Sequence, residues 1–256
     1  MPGKSALTLV EPIGPEWDQE TNAATLPHEG ITLCVPLHSS ALLTAAIIRA
    51  SSLRYALVKR AFDVVVSCLL LVVLFPLGVL IALLVVLTSR GPVFYRQERF
   101  GRFGVPFQII KFRSMYTSTR QADVLEFVPA HWNGREECAV VKRPVDPRVT
   151  PVGRLIRKLS LDELPQLFNV LAGDMSLVGP RPIIEAERPI YGPYLIYYDL
   201  VSPGITGLWQ VSGRSDVGYE RRILLDREYA SRWSCFLDIR ILARTIPAVI
   251  TMRGAY

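Results

Sequence analysis

The feature that most constrains this chain is an unbroken run of 26 uncharged, mostly apolar residues at positions 64–89. An α-helix rises about 1.5 Å per residue, and about 20 apolar residues are enough to cross a bilayer. The run is therefore long enough to span a membrane, and any fold of this chain has to accommodate it in lipid. It starts too far from Met1, and is too long, to be a cleaved secretory signal.

Pro76 lies near the middle of this run. A proline removes a backbone donor and clashes with the preceding turn, so we expect a kink between two arms, each about 18 Å long. Basic residues flank both ends of the run, Lys59 and Arg60 before it and Arg90 and Arg96 after it, and such residues tend to stay in the cytoplasm. The sequence favours a re-entrant helical hairpin with both ends on the cytoplasmic face. The alternative is one kinked transmembrane helix, because membrane helices tolerate proline.

The charge distribution indicates what the rest of the chain binds. The first 58 residues have a net charge of −2 and the remainder +8, and 24 of the 29 basic residues are arginine. The planar guanidinium group suits bidentate contact with phosphate, so phosphorylated ligands or anionic lipid heads are candidate partners. Nucleic acid is disfavoured because half the chain is apolar and no nucleic-acid motif occurs. With three histidines and four scattered cysteines, chemistry has to depend on carboxylates and arginines.

The sequence divides into three parts. Residues 1–58 are predicted to form an N-terminal extension, partly disordered because it is rich in proline, with a helix-compatible segment at residues 39–55. Residues 59–90 form the membrane element. Residues 91–256 are expected to form one domain, since a length of about 165 residues suits one globular unit.

The order of strand-like and helix-like segments in residues 91–256 predicts a mixed α/β (α+β) fold. Two strands, at residues 93–96 and 107–113, are separated by a segment containing Gly101 and Gly104 and should form a small β-hairpin. Residues 120–148 are interpreted as a helix followed by a surface loop, and Pro151 opens a basic helix. An apolar segment at residues 233–250 could be a helix in the membrane plane or a core helix.

Two adjacent carboxylates, Asp162 and Glu163, are the first candidates for chemistry. Ser160 with Glu163 fits a capping box, while Pro165 offers a competing helix start; either way the carboxylates lie at the positive end of a helix. Carboxylates in that position usually only cap the helix. Arg157 lies upstream, however, and further arginines beside the pair would lower a carboxylate pKa, as a nucleophile or a metal ligand requires.

Several ordered motifs accompany this pair at compatible spacings. They are Lys59-Arg60 with Asp63, Lys111-Phe112-Arg113-Ser114-Met115, Leu159-Ser160-Leu161-Asp162-Glu163-Leu164-Pro165-Gln166-Leu167, Gly173-Asp174-Met175-Ser176, Val178-Gly179-Pro180-Arg181-Pro182, Pro203-Gly204-Ile205-Thr206-Gly207, Gly213-Arg214 and Leu237-Asp238. Together they resemble the bacterial sugar transferases, monotopic phosphoglycosyl transferases that act on polyprenol phosphate. The resemblance covers about residues 57–256.

The resemblance implies transfer of a sugar 1-phosphate from a UDP-sugar to undecaprenyl phosphate, with release of UMP. Asp162 matches the family nucleophile, which forms a covalent phosphosugar intermediate, and Glu163 matches a residue associated with Mg²⁺. Arg157 and Asp238 match further active-site positions. The phosphate-binding residues are expected to be Lys111, Arg113, Arg181 and Arg214.

The resemblance also implies a location and a pathway class. The protein is expected at the inner membrane with its catalytic domain on the cytoplasmic face, where it initiates exopolysaccharide synthesis, with UDP-galactose or UDP-glucose as donor. Two alternatives from other classes are a non-catalytic membrane scaffold for polysaccharide assembly and a membrane-tethered nucleic-acid binder, of which the latter predicts salt-sensitive binding.

Overall fold

The computed structural model of the protein describes residues 16–18, 23–25, 32–33, 40–117, 148–213 and 217–250. A small antiparallel sheet of β1 (Glu16–Asp18), β2 (Ala23–Thr25) and β3 (Thr32–Leu33) belongs to a unit separate from the one that contains the other described elements. The helix and loop predicted at residues 120–148 lie almost entirely outside the described residues, as does most of the predicted extension.

The larger unit combines helices with short strands, which confirms the mixed fold class predicted from the sequence. Its helices are α1 (Ser40–Ser51), α2 (Leu53–Thr88), α3 (Pro151–Lys158), α4 (Gln166–Ala172), α5 (Arg188–Tyr191), α6 (Leu195–Asp199), α7 (Tyr219–Arg232) and α8 (Cys235–Ile250). Its strands are β4 (Phe94–Phe100), β5 (Pro106–Phe112), β6 (Ser176–Val178) and β7 (Gly204–Thr206). β4 pairs with β5 antiparallel, and β6 pairs with β7 parallel.

The apolar run forms most of the long helix α2, which continues past Pro76 and ends at Thr88. Within the described residues, one helical stretch, Ala56–Thr88, is long and apolar enough to cross a membrane. Only 11% of its most apolar window is buried inside the protein, whereas a core helix of a soluble domain would be mostly buried. A long apolar helix with an exposed surface is compatible with a monotopic membrane protein.

One face of α2 packs against the larger unit along most of its length. Its buried side chains recur with a helical period, at Asp63, Ser67, Ile81 and Val85, with partly buried positions between them. The first half of α2 packs, through Phe62, Val66, Leu70 and Leu71, against a core that includes Ile109, Leu167, Val170, Met175, Leu177, Val178, Tyr229, Trp233 and Ile241. The second half packs, through Leu77, Ile81, Ala82 and Val85, with Phe112, Ile156, Leu161 and Leu164.

The predicted β-hairpin is confirmed, with a longer first strand than expected and a second strand that lies one residue earlier. Phe94 pairs with Phe112, and their rings stack with centroids 5.5 Å apart. The two strands are joined by a 3₁₀ turn, Arg102–Gly104, in which Gly104 has φ +69. A glycine fits there because residues with a side chain rarely adopt this left-handed conformation.

The segment around the two adjacent carboxylates begins as predicted but is capped differently. Thr150 caps α3 by accepting a hydrogen bond from the Gly153 amide at 2.8 Å, with Pro151 in the first turn. The predicted Ser160 capping box is wrong: Ser160 has φ 56 and makes no capping hydrogen bond. A left-handed residue there turns the chain into the 3₁₀ turn Leu161–Glu163, and α4 begins only after Pro165.

Helices α1 and α8 lie against the same unit. α1 confirms the predicted helix-compatible segment and packs, through Ala46, against Ala230 of α7. α8 buries Asp238 and Ile241 but leaves three large apolar side chains exposed, Phe236, Ile239 and Ile246. The last predicted helix is therefore confirmed, with one face in the core and an apolar face outside it.

Arg113 closes the C-terminal end of α2. The buried guanidinium donates hydrogen bonds to the carbonyl oxygens of Arg90 at 2.6 Å, Ser89 at 2.7 Å and Val85 at 3.4 Å, and to the Ser89 hydroxyl at 3.0 Å. Carbonyls at the end of a helix need partners from outside it, and here one arginine binds those of Ser89 and Arg90, directly after α2.

Replacing this arginine tests its structural role. We expect Arg113→Met to lower the free energy of unfolding by about 3 kcal/mol, because buried carbonyls lose charged donors. Chemical unfolding in detergent micelles measures the loss, with exposed Arg96→Met as the matched control. Unchanged stability combined with lost UDP-sugar binding would instead favour the predicted phosphate-binding role of Arg113.

Candidate active site

The Asp162–Glu163 turn lies between α3 and α4. Leu161 and Leu164 pack into the cluster formed with the second half of α2, so they anchor the turn from both sides. Asp162 and Glu163 are consequently left partly exposed between these anchors. The fold thus holds two neighbouring carboxylates close to the membrane helix.

Lys111 of β5 provides the nearest positive charge. Its Nζ lies 2.7 Å from Oε1 of Glu163, and the two side chains are 18% and 27% exposed. Burial acts to raise the pKa of Glu163, but Lys111 and Arg181 outweigh it, so the net pKa lies below its usual value. Glu163 is therefore ionised at neutral pH, as the sequence predicted for a carboxylate beside basic groups.

Asp162 behaves differently from its neighbour. Burial, and then repulsion from the Glu163 carboxylate, raise the pKa of Asp162 to about 6, against the opposing effect of Lys111 and Arg157. Basic groups therefore lower the net pKa of Glu163, as expected of a carboxylate beside them, but at Asp162 burial and the neighbouring carboxylate outweigh them. Sequence spacing shows which charges are near, but it does not show how much water is removed.

Two arginines predicted for the site lie around this turn. Arg157 of α3 donates from Nε to the Ser114 hydroxyl at 2.7 Å, which fixes the guanidinium beside β5. Arg181 is partly exposed, acts electrostatically on Glu163 and Arg99, and makes no hydrogen bond or ion pair with other described residues. Arg181 is thus the cation best placed to bind an incoming anion.

The loop that carries Arg181 is built against β7. Gly179 donates from its amide to the Thr206 carbonyl at 2.9 Å, and Gly204 donates to the Pro180 carbonyl at 2.7 Å. A Cβ on Gly179 would collide with the Ser202 carbonyl, so the close approach requires glycine. These contacts to β7 hold the backbone on the N-terminal side of Arg181.

Two other predicted site residues are located away from this turn. Arg113 is buried against the end of α2, with carbonyl partners instead of a free guanidinium, so its predicted phosphate contact is not supported by its position. Asp238 is buried and accepts hydrogen bonds from Lys59, Tyr229 and Trp233. Arg214 lies outside the described residues.

The carboxylate pair also fits a divalent cation. Among the described residues, no group of three or more His, Cys, Asp or Glu side chains could hold a metal ion. Mg²⁺ at phosphate sites commonly takes only one or two protein carboxylates, with substrate phosphates and water completing its shell. The donor set of Asp162 and Glu163 matches this requirement, although Lys111 occupies one Glu163 oxygen.

Lys59 makes contacts that the sequence did not predict. The sequence shows Lys59 as a basic flank of the apolar run and as part of the motif with Arg60 and Asp63, but its Nζ lies 2.7 Å from Asp238 as well as 3.7 Å from Asp63. The i,i+4 spacing of Lys59 and Asp63 at the start of a membrane segment was the available signal. The partner across the fold was not visible in the sequence.

Comparisons with known proteins identify the family of the chain. The model of the family described as bacterial sugar transferase matches residues 54–252. The chain is 45% identical over 199 residues to the exopolysaccharide production protein ExoY of Rhizobium meliloti (strain 1021), covering 77% of this chain and 88% of that protein.

Two longer relatives carry names that state an activity. The undecaprenyl-phosphate galactose phosphotransferase of Salmonella typhimurium is 46% identical over 203 residues, which are 77% of this chain and 41% of that protein. The undecaprenyl-phosphate glucose phosphotransferase of Komagataeibacter xylinus is 45% identical over 213 residues, covering 77% of this chain and 37% of that protein. The chain belongs to the bacterial sugar transferase family, so the family and the enzymatic class predicted from its motifs are confirmed.

Proposed function

We propose that this protein transfers a sugar 1-phosphate from a UDP-sugar to undecaprenyl phosphate and so initiates exopolysaccharide synthesis. The observation that carries the proposal is the Asp162–Glu163 turn, surrounded by Lys111, Arg157 and Arg181 and anchored on the membrane helix. The names of the relatives supply undecaprenyl phosphate as the acceptor and galactose and glucose as the sugars, and the family motifs supply the UDP group of the donor. The proposed donor is accordingly UDP-galactose or UDP-glucose.

The reaction has two displacement steps at one phosphorus atom. An Asp162 carboxylate oxygen bonds to the sugar-bearing phosphorus, and the bond from that phosphorus to the bridging oxygen breaks, so UMP leaves with the electron pair. A phosphate oxygen of undecaprenyl phosphate then bonds to the same phosphorus. The aspartyl–phosphorus bond breaks, which regenerates the carboxylate and leaves the sugar on a lipid diphosphate.

The neighbouring residues have distinct proposed roles. Arg181 and Lys111 bind the diphosphate of the donor, and Arg157 stabilises the ionised form of Asp162. Glu163 stays ionised and is the expected Mg²⁺ ligand. When bound there, Mg²⁺ neutralises charge on the diphosphate and so assists departure of UMP.

The contacts of α2 support a re-entrant arrangement of the membrane helix. Lys59 at its start contacts Asp238, and Ser89 at its end contacts Arg113. A spanning helix has its ends on opposite sides of a hydrocarbon core about 30 Å thick, so one polar domain could not contact both. We infer that both ends emerge on the cytoplasmic face of the inner membrane, where the donor is found.

The exposed apolar side chains are consistent with a shallow position of the catalytic domain. On α8, Phe236, Ile239 and Ile246 are exposed, with Arg240 and Arg244 beside them. Apolar side chains flanked by basic ones are typical of a helix in the interface plane. This arrangement would keep the Asp162–Glu163 turn near the lipid phosphate while the isoprenoid tail stays in the bilayer.

Substitution of the proposed nucleophile tests the covalent step. Purified protein is incubated with sugar-labelled UDP-galactose or UDP-glucose and Mg²⁺ without acceptor, and protein-bound label and UMP are measured. We expect Asp162→Asn to reduce both by at least about 1,000-fold, because an amide is not a nucleophile here. Glu185→Gln, an exposed carboxylate change, serves as control. If Asp162→Asn still supports polysaccharide assembly in cells, the scaffold alternative is favoured.

The raised pKa of Asp162 predicts a pH dependence. The nucleophile has to be ionised, so kcat/KM should fall about tenfold per pH unit below pH 6 and level off above it. Lys111 lowers the pKa of Asp162, so Lys111→Met should move this inflection to higher pH. Exposed Arg96→Gln on the same hairpin should leave the inflection in place. If Lys111→Met left the pH of the inflection unchanged, this would contradict its assignment to the ionisation of Asp162.

The re-entrant topology is tested with single cysteines. Arg54→Cys and Arg90→Cys lie before and after the apolar run, both at exposed positions, and each is introduced into a chain without its native cysteines. Neither should react with an impermeant thiol reagent in intact cells, and both should react after the inner membrane is permeabilised. Labelling of one site alone in intact cells is the pattern expected of a spanning helix.

A further inference from the structure

The carbonyl of Val178 is a meeting point for side chains from three elements. Lys59 of α2 donates to it at 3.1 Å, Ser176 of β6 lies at 2.9 Å, and the Tyr229 hydroxyl of α7 lies at 2.8 Å. Val178 is fully buried, so water cannot replace these donors. The position of this carbonyl is therefore set by a membrane helix and a distant helix together.

Asp238 orients two of these donors. Its Oδ2 accepts from Lys59 at 2.7 Å and from the Trp233 indole at 2.9 Å, while Oδ1 lies 2.9 Å from the Tyr229 hydroxyl. The Tyr229 hydroxyl has one proton, so at any moment it donates either to Asp238 or to the Val178 carbonyl. Lys59 has three protons, so it can bind Asp238, Val178 and Asp63 together, and it is the central member of the network.

The network lies directly before the loop that carries Arg181. Val178 ends β6, and the next residues, Gly179 and Pro180, are fixed by hydrogen bonds to β7. Pro180 and Pro182 restrict the backbone on both sides of Arg181. A shift of Val178 is therefore transmitted to Arg181, which acts electrostatically on Glu163.

We propose that Lys59 is a positioning residue, which couples docking of the start of the membrane helix to the placement of Arg181 at the donor diphosphate. This inference rests on the proposed function. Lys59 touches no reacting atom; it acts through Val178 and the loop. Asp238, matched to an active-site position by the motifs, then acts by orienting Lys59 and Tyr229.

A double-mutant cycle separates positioning from a general structural effect. Lys59→Met is combined with Arg181→Ala, and single-turnover labelling of the protein by UDP-sugar is measured per folded molecule. A misplacement of about 1 Å at a reacting site can cost about 100-fold, so Lys59→Met should lower kcat/KM by about that factor when Arg181 is present. In the Arg181→Ala background the same change should cost less than about 3-fold, because the residue it positions is gone.

Arg60→Met is the matched control. Arg60 also lies at the start of the membrane helix, but its guanidinium donates to the Val170 and Leu171 carbonyls at the end of α4. Its effect on labelling should be the same factor in both backgrounds. Equal losses for Lys59→Met in both backgrounds would overturn the coupling.

Tyr229→Phe keeps the inference falsifiable if Lys59→Met does not fold. It removes one donor to Val178 without leaving a charge unpaired, and it should give a smaller loss that also disappears without Arg181. If Tyr229→Phe reduced labelling by the same factor with Arg181 and with Arg181→Ala, this would also overturn the coupling. The two failures are separable: an unlabelled wild-type protein contradicts the proposed function and the coupling with it, whereas a labelled wild type with multiplicative losses contradicts the coupling alone.

Discussion

Lys59 is a largely buried lysine at the start of a membrane helix, and such a charge requires partners because it has little water. Asp63, one turn along the same helix, and Asp238, far away in sequence, supply them. Removal of Lys59, or of its aspartate partners, would leave an unpaired buried charge. The membrane helix and the catalytic domain therefore depend on each other. At the other end of the helix, Arg113 performs a comparable function with uncharged carbonyl partners.

The contacts of Lys59 and Arg113, which attach the two ends of α2 to the domain, determine where the candidate active site lies. The first half of α2 packs beside β6, which leads into the Arg181 loop, and the second half packs beneath the turn that carries Asp162 and Glu163. One membrane helix therefore supports both the carboxylates and the cation opposite them. The two carboxylates differ within the turn. Lys111 and Arg181 hold the pKa of Glu163 below its usual value, whereas burial and repulsion from Glu163 raise the pKa of Asp162 to about 6. That division suits a metal-binding carboxylate beside a nucleophile that is ionised near neutral pH.

Features with a local cause could be predicted from the sequence. The apolar run, the β-hairpin and the start of α3 depend on residues close to one another in the sequence. The motifs also identified Asp162, Glu163, Lys111, Arg157 and Arg181, and the structure brings these five around one turn. The contacts of Arg113 and Asp238 could not be predicted, because they involve residues far away in the sequence. The capping box predicted at Ser160 is wrong for a local reason, since Ser160 has φ 56 and makes no capping hydrogen bond. A motif fixes which residue occurs, but its partner across the fold is set by packing that the linear order does not reveal.

The proposed mechanism requires that sugar phosphate passes through Asp162 on its way to the lipid. The most direct test is whether the labelled protein transfers its label to lipid fast enough to account for turnover. Protein labelled by UDP-sugar without acceptor is separated from free donor, mixed with undecaprenyl phosphate and quenched at successive times. The account predicts that label leaves the peptide containing Asp162 and appears on lipid at least as fast as the overall turnover. Label that stays on the protein, or that reaches lipid from fresh donor faster than from the labelled protein, would contradict it.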